Sequence, residues 1–299
     1  MDALTLPAVI GFPAPREQGF SWFDPNHLLA GHWLLLLLMT IVVLLLVMPR
    51  SSTRLIELGR ELLTVIPAVL LYDVVRGLVE GRESEAMARA TQIVHLERVS
   101  GIFWEQGIQD HIMAVRPLMN FMNFTYLLGM WPVIVLVAIW LFFQHRDVYP
   151  LYRNAFLISG AIGLVIYALL PVAPPRFVDG LGFVDTVAAR TQAYSLPDAP
   201  LIVNQYAAMP SLHFGWVLLC GIGVIHRSRG IAWKLLGVYM PAAMFVAIVA
   251  TGNHFILDAV AGAAVALLGL AASYVLHRTI RSGETESREP VPVFAERLS

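Results

Sequence analysis

The chain has 299 residues, 58% of them hydrophobic and 14% charged, with a mean hydropathy of +0.69. Soluble domains carry about 25% charged residues, so this composition excludes an ordinary soluble enzyme and points to a membrane protein. A net charge of -1 gives no basic field for nucleic acid, and the single cysteine, Cys220, excludes a disulfide framework within the chain.

Residues 1–29 carry Asp2, Arg16 and Glu17 among prolines and glycines and lack a basic n-region, so they read as an extracytoplasmic N-terminal segment, not a cleaved signal. A membrane span needs about 20 mostly apolar residues. Residues 30–48 meet this almost without polar side chains and, followed by Pro49, Arg50 and Arg54, read as a retained anchor. Residues 61–79 form a weaker span, interrupted near one end by Asp73 and Arg76. The polar connection 80–116 is helical by pattern. Its apolar residues Ile93, Leu96, Val99, Ile102 and Phe103 recur at helical spacing, with Glu97, Arg98, Glu105 and Gln109 between them. It reads as an amphipathic segment on the membrane or over the end of the bundle, with His95, Glu97 and Arg98 on a solvated face. Spans follow at 117–143 and 154–170, then a proline-rich loop, 171–209. The last three spans are 211–225, 231–250 and 254–276, and the polar residues 278–299 read as a disordered cytoplasmic tail.

The fold class is therefore an all-α polytopic bundle. Basic residues orient it. Arg50, Arg54 and Arg60, then Arg146 and Arg153, then Arg227, Arg229 and Lys234, then Arg278 and Arg281 all belong on the cytoplasmic side. This predicts seven spans with the N-terminus outside, or six if 61–79 does not cross. The membrane domain is 30–277, and the expected location is a bacterial-type plasma membrane.

Two polar stretches interrupt apolar runs on the outer side: Met209-Pro210-Ser211-Leu212-His213 and Gly252-Asn253-His254-Phe255-Ile256-Leu257-Asp258. Ser211 is a good N-cap after Pro210, and the free N–H groups of such a helix start favour an anion such as phosphate. Asn253 is a plausible N-cap for the last span, which would put His254 and Asp258 on one helix face. A carboxylate there can hold an imidazole tautomer. A histidine so backed can be a nucleophile, and a second histidine can protonate a leaving oxygen. Arg176, in Ala173-Pro174-Pro175-Arg176, can grip phosphate oxygens with its fork or anchor the loop at the interface. Asp73 and Arg76, three apart, can neutralise each other, or Arg76 can serve the phosphate.

Pro210-Ser211-x-His213 and His254-x-x-x-Asp258 resemble the second and third signatures of the phosphatidic acid phosphatase type 2 superfamily, with Ala-Pro-Pro-Arg176 in the place of the first. The resemblance covers roughly residues 150–277. It looks most like the inositol phosphorylceramide synthase-like branch, in which Pro-Ser-Leu-His replaces Pro-Ser-Gly-His, and Asp73-x-x-Arg76-Gly77 fits that branch too. It implies that His254 is the nucleophile, oriented by Asp258; Asn253 and Asp73 are read beside it as supporting residues. It implies that His213 is the acid and then the base, and that Ser211 and Arg176 bind phosphate; Arg76 is read as a further phosphate-binding candidate that would stand in for basic ligands the family has and this chain lacks. The substrate would be a lipid phosphate or phospholipid in the bilayer, with neither metal nor cofactor. The sequence assigns no oligomeric state.

Two departures stand out. The first signature lacks its lysine, and the places of a Ser-Arg pair before the third histidine hold Ala247 and Ile248. Since a phosphodiester needs less charge neutralisation than a phosphomonoester, this favours headgroup transfer over a lipid phosphate or polyprenyl diphosphate phosphatase. Other readings of the same residues are a metal site on two histidines and a carboxylate, a Ser211 hydrolase, and a non-catalytic lipid-binding or transport protein.

Overall fold

The computed structural model describes residues 52–78, 82–187 and 206–286. The expected anchor at 30–48, the loop centre at 188–205 and residues 287–299 of the expected tail lie outside them, whereas residues 278–286, expected as the start of a disordered tail, continue the last helix.

Helix α1 is Ser52–Leu78, with Pro67 inside it. The polar connection is two helices, α2 (Glu83–Val99) and α3 (Glu105–Met113). Next come α4 (Arg116–Phe124), a π-helical turn (Thr125–Gly129) and α5 (Met130–Gln144). Helix α6 is Tyr149–Leu169, α7 is Leu212–Arg227, α8 is Ile231–Ala250 and α9 is Ile256–Glu286. Among the described residues there is no strand, only one isolated bridge between Val172 and Ala207.

Four stretches are long and apolar enough to cross a bilayer: Arg116–Gln144, Tyr149–Leu169, Ile231–Ala250 and Ile256–Thr279. Helix α7 is apolar but shorter. In hydrocarbon every backbone polar group must be satisfied within its own segment, so apolar runs of this length fold as helices. Helix α1 is not among the four. The count of seven or six spans thus turns on α1 and on residues outside the described set.

Helix α7 is central, packing on α5, α6, α8 and α9. Its Trp216 is almost wholly buried, with its ring 4.2 Å from Phe156 and its indole N–H donating to Ser159 Oγ at 3.1 Å. Beside α7, the start of α9 comes very close. A Cβ on Gly262 would stand 2.1 Å from the carbonyl oxygen of Ser211, so only glycine allows this approach.

Chain direction sorts the polar chemistry to two ends. At one end lie the C-termini of α6 and α8 and the N-termini of α7 and α9. At the other, the Arg153 guanidinium donates to both oxygens of Glu61 at 2.6 and 2.7 Å, Arg146 pairs with Glu57 at 2.6 Å, and Arg227 pairs with Asp147 at 3.4 Å. Three of the residues used above for orientation, Arg146, Arg153 and Arg227, thus lie at the end opposite the histidines.

Candidate active site

The first motif forms the entry to α7. Ser211 is the N-cap, its Oγ 3.5 Å from the backbone N–H of Phe214. Three bonds fix this entry. Ser211 N–H donates to the carbonyl of Asp258 at 2.9 Å, Tyr167 hydroxyl donates to the carbonyl of Pro210 at 2.6 Å, and Ala208 N–H donates to the carbonyl of Val172 at 3.1 Å. The Met209–Pro210 peptide is cis. His213 follows in the first turn of α7, and Tyr126 stacks on it with ring centroids 4.9 Å apart. Tyr126 sits in the π-helical turn, a local rearrangement often found beside functional sites.

The second motif begins where α8 ends. Gly252 N–H donates to the carbonyl of Val249 at 3.0 Å and Asn253 N–H to that of Ile248 at 3.2 Å. This is the Schellman pairing, and Gly252 takes the left-handed conformation it requires, φ +68°. His254 therefore lies in the turn between α8 and α9, outside either helix. The shared helix face expected for His254 and Asp258 is replaced by a different arrangement. Phe255 caps α9, and Asp258 Oδ2 in the first turn accepts from Phe255 N–H at 2.9 Å, which is half of a capping box. Asn253 is not the N-cap. Its Oδ1 accepts from Arg176 Nη1, and its Nδ2 donates to Thr251 Oγ1 at 2.8 Å.

The two histidine rings lie 6.0 Å apart. His254 is buried, with Nδ1 2.8 Å from the carbonyl oxygen of Ala208 and 3.4 Å from Asp258 Oδ2. A carbonyl can only accept, so Nδ1 carries the proton and the lone pair falls on Nε2. The shorter of the two contacts is to the carbonyl. Asp258 is second, and its Oδ1 has no hydrogen-bond donor among the described residues.

Arg176 reaches the same place from the loop. Its backbone N–H donates to the carbonyl of Gly252 at 3.1 Å, and its guanidinium lies over Phe177 at 4.6 Å. Its Nε is 3.1 Å from Asp185 Oδ2 but is not aligned as a hydrogen bond, so this contact is an ion pair. Ser211, His213, Asn253, His254, Asp258 and Arg176 are thus brought to one end of the bundle. Asp73 and Arg76 belong to α1, which runs alongside α6 in the same direction; their side chains are outside the described set. Ala247 and Ile248 are fully buried. Among the described residues, no three His, Cys, Asp or Glu side chains are arranged to hold a metal ion.

A further reading of the sequence is corrected. Glu97 and Glu105, expected on or near the polar face of an amphipathic segment, are fully buried, as is Gln109. Glu97 Oε1 accepts from Leu257 N–H at 2.8 Å, and Glu105 Oε1 accepts from Ile256 N–H at 2.9 Å. Gln109 donates to the carbonyls of Val184 and Ala250 at 3.0 and 2.9 Å, joining the loop to the end of α8. His95 and Arg98 are exposed, as expected. The signal was present in the spacing. Ala86, Ala90, Ile93, Val94 and Glu97 form one buried stripe of α2, and Glu105, Gln109 and Ile112 form one of α3.

Burial, then the hydrogen bond to Glu105, pushes the Glu97 carboxyl up to about 9. The helix start before which His254 stands is therefore already filled by carboxyls. Among the described residues, the start of α7 carries no such carboxyls and is capped by the hydroxyl of Ser211.

A sequence profile of the PAP2 superfamily matches residues 91–272, more than half of the chain. The phosphoinositol dihydroceramide synthase of Bacteroides thetaiotaomicron is 29% identical over 155 residues, which are 46% of this chain and 50% of that protein. The chain thus spans about half the length of this curated relative. No solved structure matches.

Proposed function

The chain belongs to the PAP2 superfamily, and from that premise we propose that it is an integral-membrane enzyme that transfers a phospho-headgroup between lipid and alcohol through a phosphohistidine. The observation that carries this reading is the seating of His254. Its Nδ1 proton is held by the Ala208 carbonyl at 2.8 Å, which leaves Nε2 as the nucleophile. Nε2 attacks phosphorus, an N–P bond forms, and the bond from phosphorus to the leaving oxygen breaks. His213 supplies the proton that this oxygen takes up. His213 then removes a proton from the acceptor hydroxyl, whose oxygen attacks phosphorus and releases His254. Asp258, 3.4 Å from Nδ1, stabilises the positive ring of the intermediate. The N–H groups at the start of α7, Ser211 Oγ and the Arg176 guanidinium bind the non-bridging oxygens. Basic residues at the opposite end of the bundle support an extracytoplasmic site.

Transfer is preferred to hydrolysis for two reasons. Ala247 and Ile248 are fully buried where the family places a Ser-Arg pair, which suits the lower charge of a phosphodiester. The name of the Bacteroides relative, a phosphoinositol dihydroceramide synthase, points the same way and to an inositolphosphotransferase-like reaction.

Protein in detergent would be given phosphodiester and phosphomonoester lipids, with and without lipid alcohols and polyols. New phospholipid that depends on the alcohol supports transfer, whereas free phosphate from the monoester alone would turn the reading to a phosphatase. Wild type should also trap an acid-labile phosphate absent from His254→Ala. Full activity of that variant would overturn the mechanism.

A further inference from the structure

Three consecutive backbone N–H groups open α9, those of Phe255, Ile256 and Leu257. Each is taken by a different carboxyl: Asp258 at 2.9 Å, Glu105 at 2.9 Å and Glu97 at 2.8 Å. Two of the three come from α3 and α2, 151 and 160 residues away in sequence. All three carboxyls are completely buried. The second oxygens of Glu97 and Glu105 have no donor among the described residues. Two buried acceptors side by side would repel as carboxylates, and one proton held between them satisfies both. His254 immediately precedes the three N–H groups.

We propose that Glu97 and Glu105 are positioning residues for His254: as a carboxyl–carboxylate pair sharing one proton, they hold the start of α9 and so keep the imidazole seated between Ala208 and Asp258. Glu97 bears the proton and donates it to Glu105, and each keeps its other oxygen on an α9 N–H. The groups that face Glu97 are Glu105 from α3 and Asp258 from α9. Both are acidic, so loss of the shared proton would place like charges together and loosen the clamp. The arrangement also keeps an anionic substrate from the positive end of α9 and leaves α7 to receive it. The inference rests on the reaction proposed above for its kinetic readout but not for its stability readout.

The test compares wild type, Glu97→Gln and Glu97→Ala in detergent between about pH 6 and pH 10. A glutamine amide can accept from Leu257 N–H and donate to Glu105 as the protonated acid does, and it has no proton to lose. Folding takes up the Glu97 proton at any pH between its ordinary value of 4.5 and about 9. Wild-type stability is therefore full below that window and declines as pH rises through it. The expected result is a thermal midpoint that falls less steeply with pH in Glu97→Gln than in wild type. Turnover of Glu97→Gln should stay near wild type at neutral pH and hold better on the alkaline side. Glu97→Ala, if it folds, should lose about a hundredfold in turnover with little change in KM, as expected for a misplaced reacting group. Equal pH slopes of the midpoint in wild type and Glu97→Gln would overturn the shared proton. A Glu97→Gln enzyme as inactive as Glu97→Ala would overturn the positioning role. If no lipid is turned over by any form, the reaction proposed above fails, while the midpoint comparison still decides the proton.

Discussion

At the scale of single residues, the site is defined by which atoms are occupied. His254 has its Nδ1 committed to Ala208 and Asp258, so the proposed attack is assigned to Nε2. Replacing His254 with alanine should reduce turnover to background and abolish the phosphoenzyme. His213→Ala should cost about 10²–10⁴-fold, the usual worth of a positioned acid and base, and should remove one limb of the pH–rate profile. Arg176 is held by Asn253 and Asp185, so its fork is aimed before substrate arrives. Arg176→Lys keeps the charge but loses the fork. It should lower kcat/KM by an amount equivalent to about 1.5–3 kcal/mol, read from initial rates. Motif spacing in the sequence was enough to select these residues. It could not tell that Asn253 holds Arg176, because an asparagine before an apolar run is equally a capping signal.

At the scale of elements, the site is a junction between the starts of α7 and α9. Ser211 donates to the carbonyl of Asp258, and Gly262 lies against the carbonyl of Ser211. Gly262→Ala would place a methyl group 2.1 Å from that oxygen, so the helices must part. Overpacking of this kind costs about 1–3 kcal/mol. The variant should unfold at a lower temperature and, because His213 moves with α7, lose turnover out of proportion to stability. Unchanged turnover would show that α7 and α9 shift together. Helices α2 and α3 were legible as helices, but the pattern assigned Glu97 and Glu105 to the wrong face. A glutamate on a stripe with Ala90 and Ile93 is read by its charge as exposed, since a lone buried carboxylate is costly. What makes burial tolerable here is the row of free N–H groups at α9, and no local window of sequence contains both.

At the scale of the whole molecule, the candidate reactive groups gather at one end, and the pairs Arg153–Glu61, Arg146–Glu57 and Arg227–Asp147 lie at the other. The Arg153–Glu61 pair, in which one guanidinium nitrogen meets both carboxylate oxygens, ties α1 to α6, with both side chains about four-fifths buried. Glu61→Ala should lower stability by about 1.5–3 kcal/mol, measured by unfolding in detergent, while turnover at a temperature where the variant stays folded remains that of wild type. A large loss of turnover there would mean that the two ends are coupled.

The sequence alone determined the class of the molecule and picked out the candidate residues of its site. A bilayer admits long apolar segments only as helices or closed barrels, and the spacing of Ser211, His213, His254 and Asp258 is local enough to be read along the chain. Only the tertiary structure decided what those residues touch. The carbonyl that fixes the His254 tautomer is 46 residues away, and the carboxyls that hold α9 are 151 and 160 residues away. Such pairings depend on where separate helices dock, which helical periodicity does not encode.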